Sequence, residues 1–506
     1  MEVCFVEYLI NDYYKDVENI GIYETWNKIL SHLNNKEDEY GIFNIDTLSD
    51  LYELGIAHSD KQSKKMLGQY YTPEDVSLLM ANWLSNMEGK NICDVCCGTG
   101  NLIIAYLKTI GEEETMNLIK NKQIYLYDID KTALMICKKR ISLLYSKSAI
   151  YNINFINKDF LDKDVKLPNH CKVISNPPYN NIKEFKETWN VTKNMQSSKE
   201  LYSAIMEKIL TGSNASVIIS PYSFLGGSKF YELRKIMNSY NGFVVSFDNV
   251  PGNIFNGKKH GIFNSNASNS VRASITVTQN NDNKKGYRCS GLIRFKNTER
   301  AELLNSTTLE TTLSDYQIIN ESHTQYIKCF PQLDSLYKNW ISKSSPLKEY
   351  LTEDSSFQVC FPNACRYYSV ASFKNLNRGG KYTLSFEDEI TRKIIYCFLN
   401  SSFCYWHWRL YDGGILDQKG LFFELPIIDF NIIDENNKEK LLYIADEMIQ
   451  NEEKYLSFKK NAGEMQENIK FPIEYIRKID NIFLKILGEK SDYHIFDIVH
   501  SNCFML

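Results

Sequence analysis

Between residues 66 and 290 the chain alternates short apolar runs with amphipathic stretches. Apolar or period-two runs bounded by turn residues predict strands at 91–95, 123–128, 153–156, 171–175, 215–220 and 243–248. Apolar residues three and four apart predict helices at 74–86, 100–110, 131–145, 199–211 and 228–238. That alternation predicts an α/β unit whose parallel strands carry helices on both faces. Val271–Val277 and Tyr287–Phe295, joined by the polar linker Gln279–Gly286, read as a β-hairpin that makes the sheet mixed.

The pattern changes on either side. Residues 1–62 read as an amphipathic helical arm with aromatics at Tyr8, Tyr13, Tyr14, Tyr23 and Trp26. The α/β unit is expected over 63–308 and a second, α+β domain of short strands, aromatics and loops over 309–430. Residues 431–506 read as helical again, with a charged stretch at 435–466. No internal repeat is visible.

Composition narrows the class. With 506 residues, 43% hydrophobic and 24% charged, the chain reads as globular with several units. Its net charge of −4 leaves any nucleic-acid surface to a local patch. No apolar run approaches the roughly 20 residues of a membrane span, and the first residues lack the basic-then-apolar order of a signal peptide. The 13 scattered cysteines point to reduced, buried thiols and a cytoplasmic setting. Cys93, Cys96 and Cys97 have no partner at zinc-ligand spacing, nor do Cys360 with Cys365 or Cys397 with Cys404 and His407, so no metal is expected.

The chemistry concentrates in four short motifs. Asp94-Val95-Cys96-Cys97-Gly98-Thr99-Gly100 joins a strand to a helix, where glycines let the backbone approach a ligand. Asp128, in Tyr127-Asp128-Ile129-Asp130, ends the next strand and suits a pair of ribose hydroxyls, with Asp130 able to share that role. These two alone leave the cofactor open, NAD included. The leading Asp94 would repel a pyrophosphate and suits a cationic group. Upstream, Tyr71-Thr72-Pro73 reads as a helix start, with Thr72 as N-cap and Pro73 as first helical residue. Asn176-Pro177-Pro178-Tyr179 follows a strand, and proline rigidity there can aim the Asn176 and Pro177 oxygens at one spot. Two such acceptors suit an exocyclic amine, and Tyr179 offers a face to a planar ring.

The series GQYYTP, DVCCGTGN, YDID, KDF and SNPPY resembles, in order, gamma-class S-adenosylmethionine-dependent N6-adenine DNA methyltransferases of restriction–modification systems. It covers roughly residues 66–300. The resemblance implies a Rossmann-like catalytic domain with a mixed sheet, followed by a target-recognition domain at 309–430. It implies S-adenosylmethionine as cofactor, with Tyr71, Thr72 and Pro73 lining its methionine end. Asp94 would hold the amino group by way of the loop, with Gly98 and Gly100 leaving room. Asp128 would take the ribose, Asp159 the cofactor's adenine amine, and Phe160 would lie against that ring. Asn176 and Pro177 would accept both hydrogens of the target amine, localising its lone pair for attack on the sulfonium methyl. No cysteine occupies this turn, which counts against the covalent route of a 5-methylcytosine enzyme.

A target base inside a duplex must be extruded and sandwiched. Tyr179 is expected on one side and Phe255 on the other, with Phe263 as fallback. Lys258, Lys259 and His260 are placed to meet phosphates, and Arg366, Lys374 and Arg378 lie on loops that could read bases. Trp406 and Trp408 read as packed core. The expected partners are double-stranded DNA and, as an open partner, a separate restriction endonuclease, with no membrane. NPPY also occurs in RNA and protein-glutamine N-methyltransferases, so those remain alternatives, as does a non-catalytic DNA-specificity module. No convincing nuclease motif precedes residue 66. The target sequence, the number of strands modified and the oligomeric state stay open.

Overall fold

The computed structural model describes residues 13–35, 45–59, 72–145, 148–255, 271–279, 286–305, 309, 319–320, 325–353, 355–363, 370–411, 419–461, 464–489 and 494–501. Its centre is a nine-stranded sheet in the order β3-β2-β1-β4-β5-β7-β6-β8-β9. The strands are β1 Asn91–Val95, β2 Ile124–Asp128, β3 Asn154–Asn157, β4 Cys171–Ser175, β5 Ala215–Pro221, β6 Asn241–Phe247, β7 Ala273–Gln279, β8 Gly286–Ile293 and β9 Ile319–Asn320. β1 to β5 are parallel, and β7 runs antiparallel between β5 and β6. All five residues of β4 are buried, as expected of a parallel strand covered on both faces. Alternate residues feed two cores. Ile92, Leu126, Ile174 and Val217 point to one, Cys93, Tyr127, Val173 and Ile218 to the other.

The helices Glu74–Ser85, Asn101–Ile110, Lys131–Leu144 and Leu201–Gly212 fall where the 3.6-residue period puts them. The hairpin does not. β7 and β8 flank β6 instead of pairing, because β6 bonds antiparallel to β7 on one side and parallel to β8 on the other. Adjacency in sequence suggested the pairing; the sheet inserts an earlier strand between them. Thr72 is also not the N-cap: Pro73 occupies that position, with no side-chain cap.

The N-terminal arm is docked. Helices Ile22–Asn35 and Ile45–Ser59 pack on helix Lys131–Leu144, with Trp26 and Tyr52 fully buried beside Ala133 and Ile136. Trp26 Nε1 donates to Tyr13 Oη (3.0 Å), which donates to Leu51 O (2.8 Å).

Beyond the sheet, one apolar core runs from Cys329 to Val499 and includes Trp406 and Trp408. Residues on both sides of position 430 therefore share a body. It combines helices with three two-stranded sheets: β10 Ser344–Pro346 with β13 Pro426–Ile428, β11 Phe357–Pro362 with β12 Lys381–Phe386, and β14 Leu456–Asn461 with β15 Glu464–Ile469. The last hairpin interrupts a tail expected to be helical. This body meets the sheet at Asp248, just past β6. Arg272, Arg294 and, from helix Ser402–Tyr411, Arg409 all hold that carboxylate. Burial works to raise its pKa, but the three guanidiniums outweigh it and hold the carboxyl at about 2.

Candidate active site

Register brings the motifs together. Val95 lies beside Tyr127 of β2 and Ser175 of β4, so the glycine turn, Asp128 and Asn176 leave the sheet at one edge. Ser175 Oγ donates to Val95 O (2.7 Å) and fixes where β4 ends.

The turn is built around two carboxylates. Asp128 Oδ2 accepts from Gly98 N (2.7 Å) and Oδ1 from Asp130 N (2.8 Å). It is 8% exposed, and burial pushes its pKa up to about 6 despite those bonds. Asp94 is wholly buried. Its Oδ2 accepts from Ile103 N (3.0 Å), in the first turn of the following helix, while Oδ1 has no hydrogen-bond partner among the described residues. Desolvation raises this carboxyl well above the usual range.

The two glycines have different reasons. Gly98 (φ 52°) presents its N–H to Asp128. Gly100 (φ 91°) leaves room for packing rather than for a ligand, since a Cβ there would sit 2.5 Å from Cys137 Sγ. Asp130 also serves the fold: Oδ1 caps helix Lys131–Leu144 through Thr132 N and Ala133 N, and Oδ2 takes Tyr52 Oη.

Thr72 and Asn176 meet although 104 residues apart: Asn176 Nδ2 donates to Thr72 Oγ1 (3.0 Å). Thr72 thus orients the amide, and Oδ1 is not the atom it holds. Pro177 is buried and Tyr179 half-buried. The Tyr179 and Phe255 rings lie 6.1 Å apart at 63°, edge to face. The structure therefore brings the two proposed sandwich residues together, the edge of one ring against the face of the other. A purine between them needs ~7 Å between parallel rings, two contacts of about 3.5 Å each.

Asp159 and Phe160 have other partners. Asp159 Oδ2 receives Lys186 Nζ (2.6 Å) and Trp189 Nε1 (3.0 Å), and Oδ1 receives Leu161 N (3.1 Å). Phe160 is 4% exposed, packed edge-on against Tyr127 with Lys208 Nζ over its ring. The strand-to-loop position was legible, but the basic and aromatic residues that return to it were not. Lys374 Nζ lies 3.7 Å from Glu453, and Arg378 Nη1 donates to Asn468 Oδ1 (2.9 Å). Tyr71, Lys258, Lys259, His260, Phe263 and Arg366 lie outside the described residues. Among the described residues no group of three His, Cys, Asp or Glu side chains is placed to hold a metal, and no helix is long and apolar enough to cross a membrane.

Two contributors escaped the sequence reading. Arg300 grips Asp75 with Nε (2.5 Å) and Nη2 (2.9 Å), and donates to Asn253 O (2.9 Å) and Ile254 O (2.7 Å). It ties the segment carrying Asn253, Ile254 and Phe255 to the helix that starts beside Thr72. Ser49, from the N-terminal arm, bonds Thr99 Oγ1 (2.7 Å) within the glycine turn. No local signal marks either residue.

A mixed α/β sheet with an antiparallel strand inserted between β5 and β6, a glycine turn after β1, an acid closing β2 and Asn-Pro-Pro-Tyr after β4 define a Rossmann-like methyltransferase domain. Residues 43–262 match the family described as N-6 DNA Methylase. Curated proteins similar to this chain include two restriction–modification methylases. The Type I restriction enzyme MpnII methylase subunit of Mycoplasma pneumoniae is 24% identical over 286 residues, 52% of this chain and 49% of that one. The Type II methyltransferase M.VspI of a Vibrio species is 27% identical over 195 residues, 37% and 44%. The chain thus spans a little under half the length of these relatives. Among solved structures, the ATP-dependent Type ISP restriction–modification enzyme LlaBIII bound to DNA is 10% identical with a TM-score of 0.46, over 98% of this chain and 52% of that one.

Proposed function

We propose that the chain is a site-specific DNA methyltransferase that acts on N6 of an extruded adenine in double-stranded DNA, as the modification component of a restriction–modification system. The observation that carries the reading is the emergence of Asn176-Pro177-Pro178-Tyr179 from β4 level with Asp128 and the glycine turn. S-Adenosylmethionine supplies an electrophilic sulfonium methyl when bound. The residues present fit it. Asp128, held by the Gly98 and Asp130 amides, is an acceptor for ribose hydroxyls, and the buried Asp94 Oδ1 is an acceptor beneath the turn for an ammonium.

Thr72 sets the Asn176 amide, whose Oδ1 accepts one hydrogen of the target amine, with the Pro177 carbonyl for the other. This draws the nitrogen lone pair out of the ring. S-Adenosylmethionine, held by Asp94 and Asp128, would supply the methyl group to that nitrogen and leave as the neutral thioether, and water would take the extra N6 proton. An amide has no useful basicity, so positioned acceptors rather than a general base carry the rate. Tyr179 and Phe255 hold the base once their rings part.

The test is Asn176→Ala. It should lower methyl transfer by ~100-fold or more while S-adenosylmethionine affinity stays within about twofold. Long-read sequencing of DNA from cells expressing the parent chain should report N6-methyladenine in one motif, and the variant should report none. Full activity in Asn176→Ala removes the acceptor role. Methylated RNA or protein with unmodified DNA favours the other substrates of this chemistry.

A further inference from the structure

The β14–β15 hairpin stands apart from the large sheet. Its two six-residue strands pair with no other strand among the described residues. An isolated two-stranded ribbon is marginal in water unless something supports it. The base is buried through Ile469, but the outer half exposes apolar surface: Phe458 is 62% exposed and Met465 54%. The register places Lys460 opposite Met465, on the same face as Phe458. Lys459 and Lys460 are both exposed.

A loop from the same body braces the ribbon. Glu467 N donates to Asn377 O (2.9 Å), and Asn377 N donates to Glu467 Oε2 (2.7 Å), so residues 374–381 run along the edge of β15. Arg378 reaches Asn468, and Glu452 fixes the start of the loop through Phe373 N (2.7 Å) and Lys374 N (2.9 Å). Segments 374–381 and 454–470 together carry seven Lys or Arg against two Glu, in a chain whose net charge is −4. Glu453, which faces Lys374, borders the patch without cancelling it.

We infer that the β14–β15 hairpin, braced by residues 374–381, is a surface that docks in a groove of duplex DNA. This rests on the proposed function and places DNA contacts beyond residue 430. Two strands ~4.8 Å apart with their side chains fit the major groove, which is about 12 Å wide. Lys460, on the Phe458 face, and Lys459, on the opposite face, meet the phosphates on either side of the groove, and Phe458 and Met465 lie against base edges and sugars. The excess positive charge selects DNA over a protein partner for this exposed apolar patch.

The experiment uses the full chain and a duplex containing its methylated motif, with binding read by fluorescence anisotropy across a salt series. Lys459→Ala/Lys460→Ala should weaken binding by ~10–100-fold and lower the slope of log affinity against log salt by about two. Phe458→Ala should weaken binding without changing the slope. Lys440→Ala, on helix Glu435–Gln450, controls for bulk charge, and calorimetry with S-adenosylmethionine should not separate the double variant from its parent. If the parent methylates DNA yet the double variant binds with the same affinity and slope, the inference is overturned and the proposed function stands. If the double variant changes only the mass seen by light scattering, the hairpin is a protein interface and the inference is equally overturned. A parent chain that neither binds nor methylates DNA defeats the proposed function itself.

Discussion

Arg300→Met removes the clamp between the helix beginning at Glu74 and the segment carrying Asn253, Ile254 and Phe255, while Met keeps much of the aliphatic stem. Four hydrogen bonds go: two to Asp75 and one each to Asn253 O and Ile254 O. Asp75 is 38% exposed at its side chain, so water recovers most of that pair. The carbonyls lie against a guanidinium only 8% exposed, and losing a charged donor costs about 1.5 kcal/mol at each. The loop should lose about 3 kcal/mol of its ordering free energy. If Phe255 must be in place at the transition state, that is ~100-fold in the methyl-transfer step. Single-turnover transfer of a radiolabelled methyl group, at saturating DNA and donor, reads it directly. Arg300→Lys, which replaces a planar fork with one ammonium, should fall between parent and Met. Asp75→Asn combined with Arg300→Met should cost less than the two single changes summed, because the partners touch. A parental single-turnover rate in Arg300→Met would refute the claim that this guanidinium places the segment proposed to hold the base.

Asp128 gives a pH signature. Its pKa of about 6 lies above the ordinary carboxylate value, so its ionisation opposes folding as pH rises, and that contribution to stability is present only in acid. If Asp128 holds the donor's ribose as proposed, the carboxylate form is the binding form, so donor affinity should fall up to tenfold per unit as pH drops below about 6, and Asp128→Asn should flatten the profile; a parent profile flat from 7 to 5 would contradict this. Gly100→Ala combines a φ of 91° with a Cβ 2.5 Å from Cys137 Sγ and should destabilise the turn by about 2–4 kcal/mol, seen as faster hydrogen exchange over 96–107. Adding Cys137→Ala should relieve the clash with Sγ but not the backbone strain; unchanged exchange in Gly100→Ala would show that the turn tolerates a side chain.

The end of the sheet where the motifs meet was legible because its parts are local. Runs such as Lys172-Val173-Ile174 and the turn at Gly98 announce themselves within a few residues, and parallel register then aligns their ends without further information. What needed the structure was long-range. Arg300 and Asp75 are 225 residues apart, and Ser49 meets Thr99 across 50. Asp159 looked available because Lys186 and Trp189 return to it from a loop of no distinctive composition. The β14–β15 hairpin was hidden by its charge: Lys459, Lys460, Glu464 and Glu467 mask the alternation, and only Asn461-Ala462-Gly463 signals a turn. The 271–295 segment failed differently, since its strands were found and their neighbours were not.

That strand order has a consequence for synthesis. β7 belongs between β5 and β6, yet it is made after both. A nascent chain emerging only as far as residue 250 has β6 complete but nothing to seat against the backbone donors and acceptors of β5. Until 273–279 leave the ribosome, β5 stays an open ladder edge of the kind that captures foreign strands. Growth at low temperature or with abundant chaperones should therefore raise the yield of intact protein more than changes made anywhere in the C-terminal body.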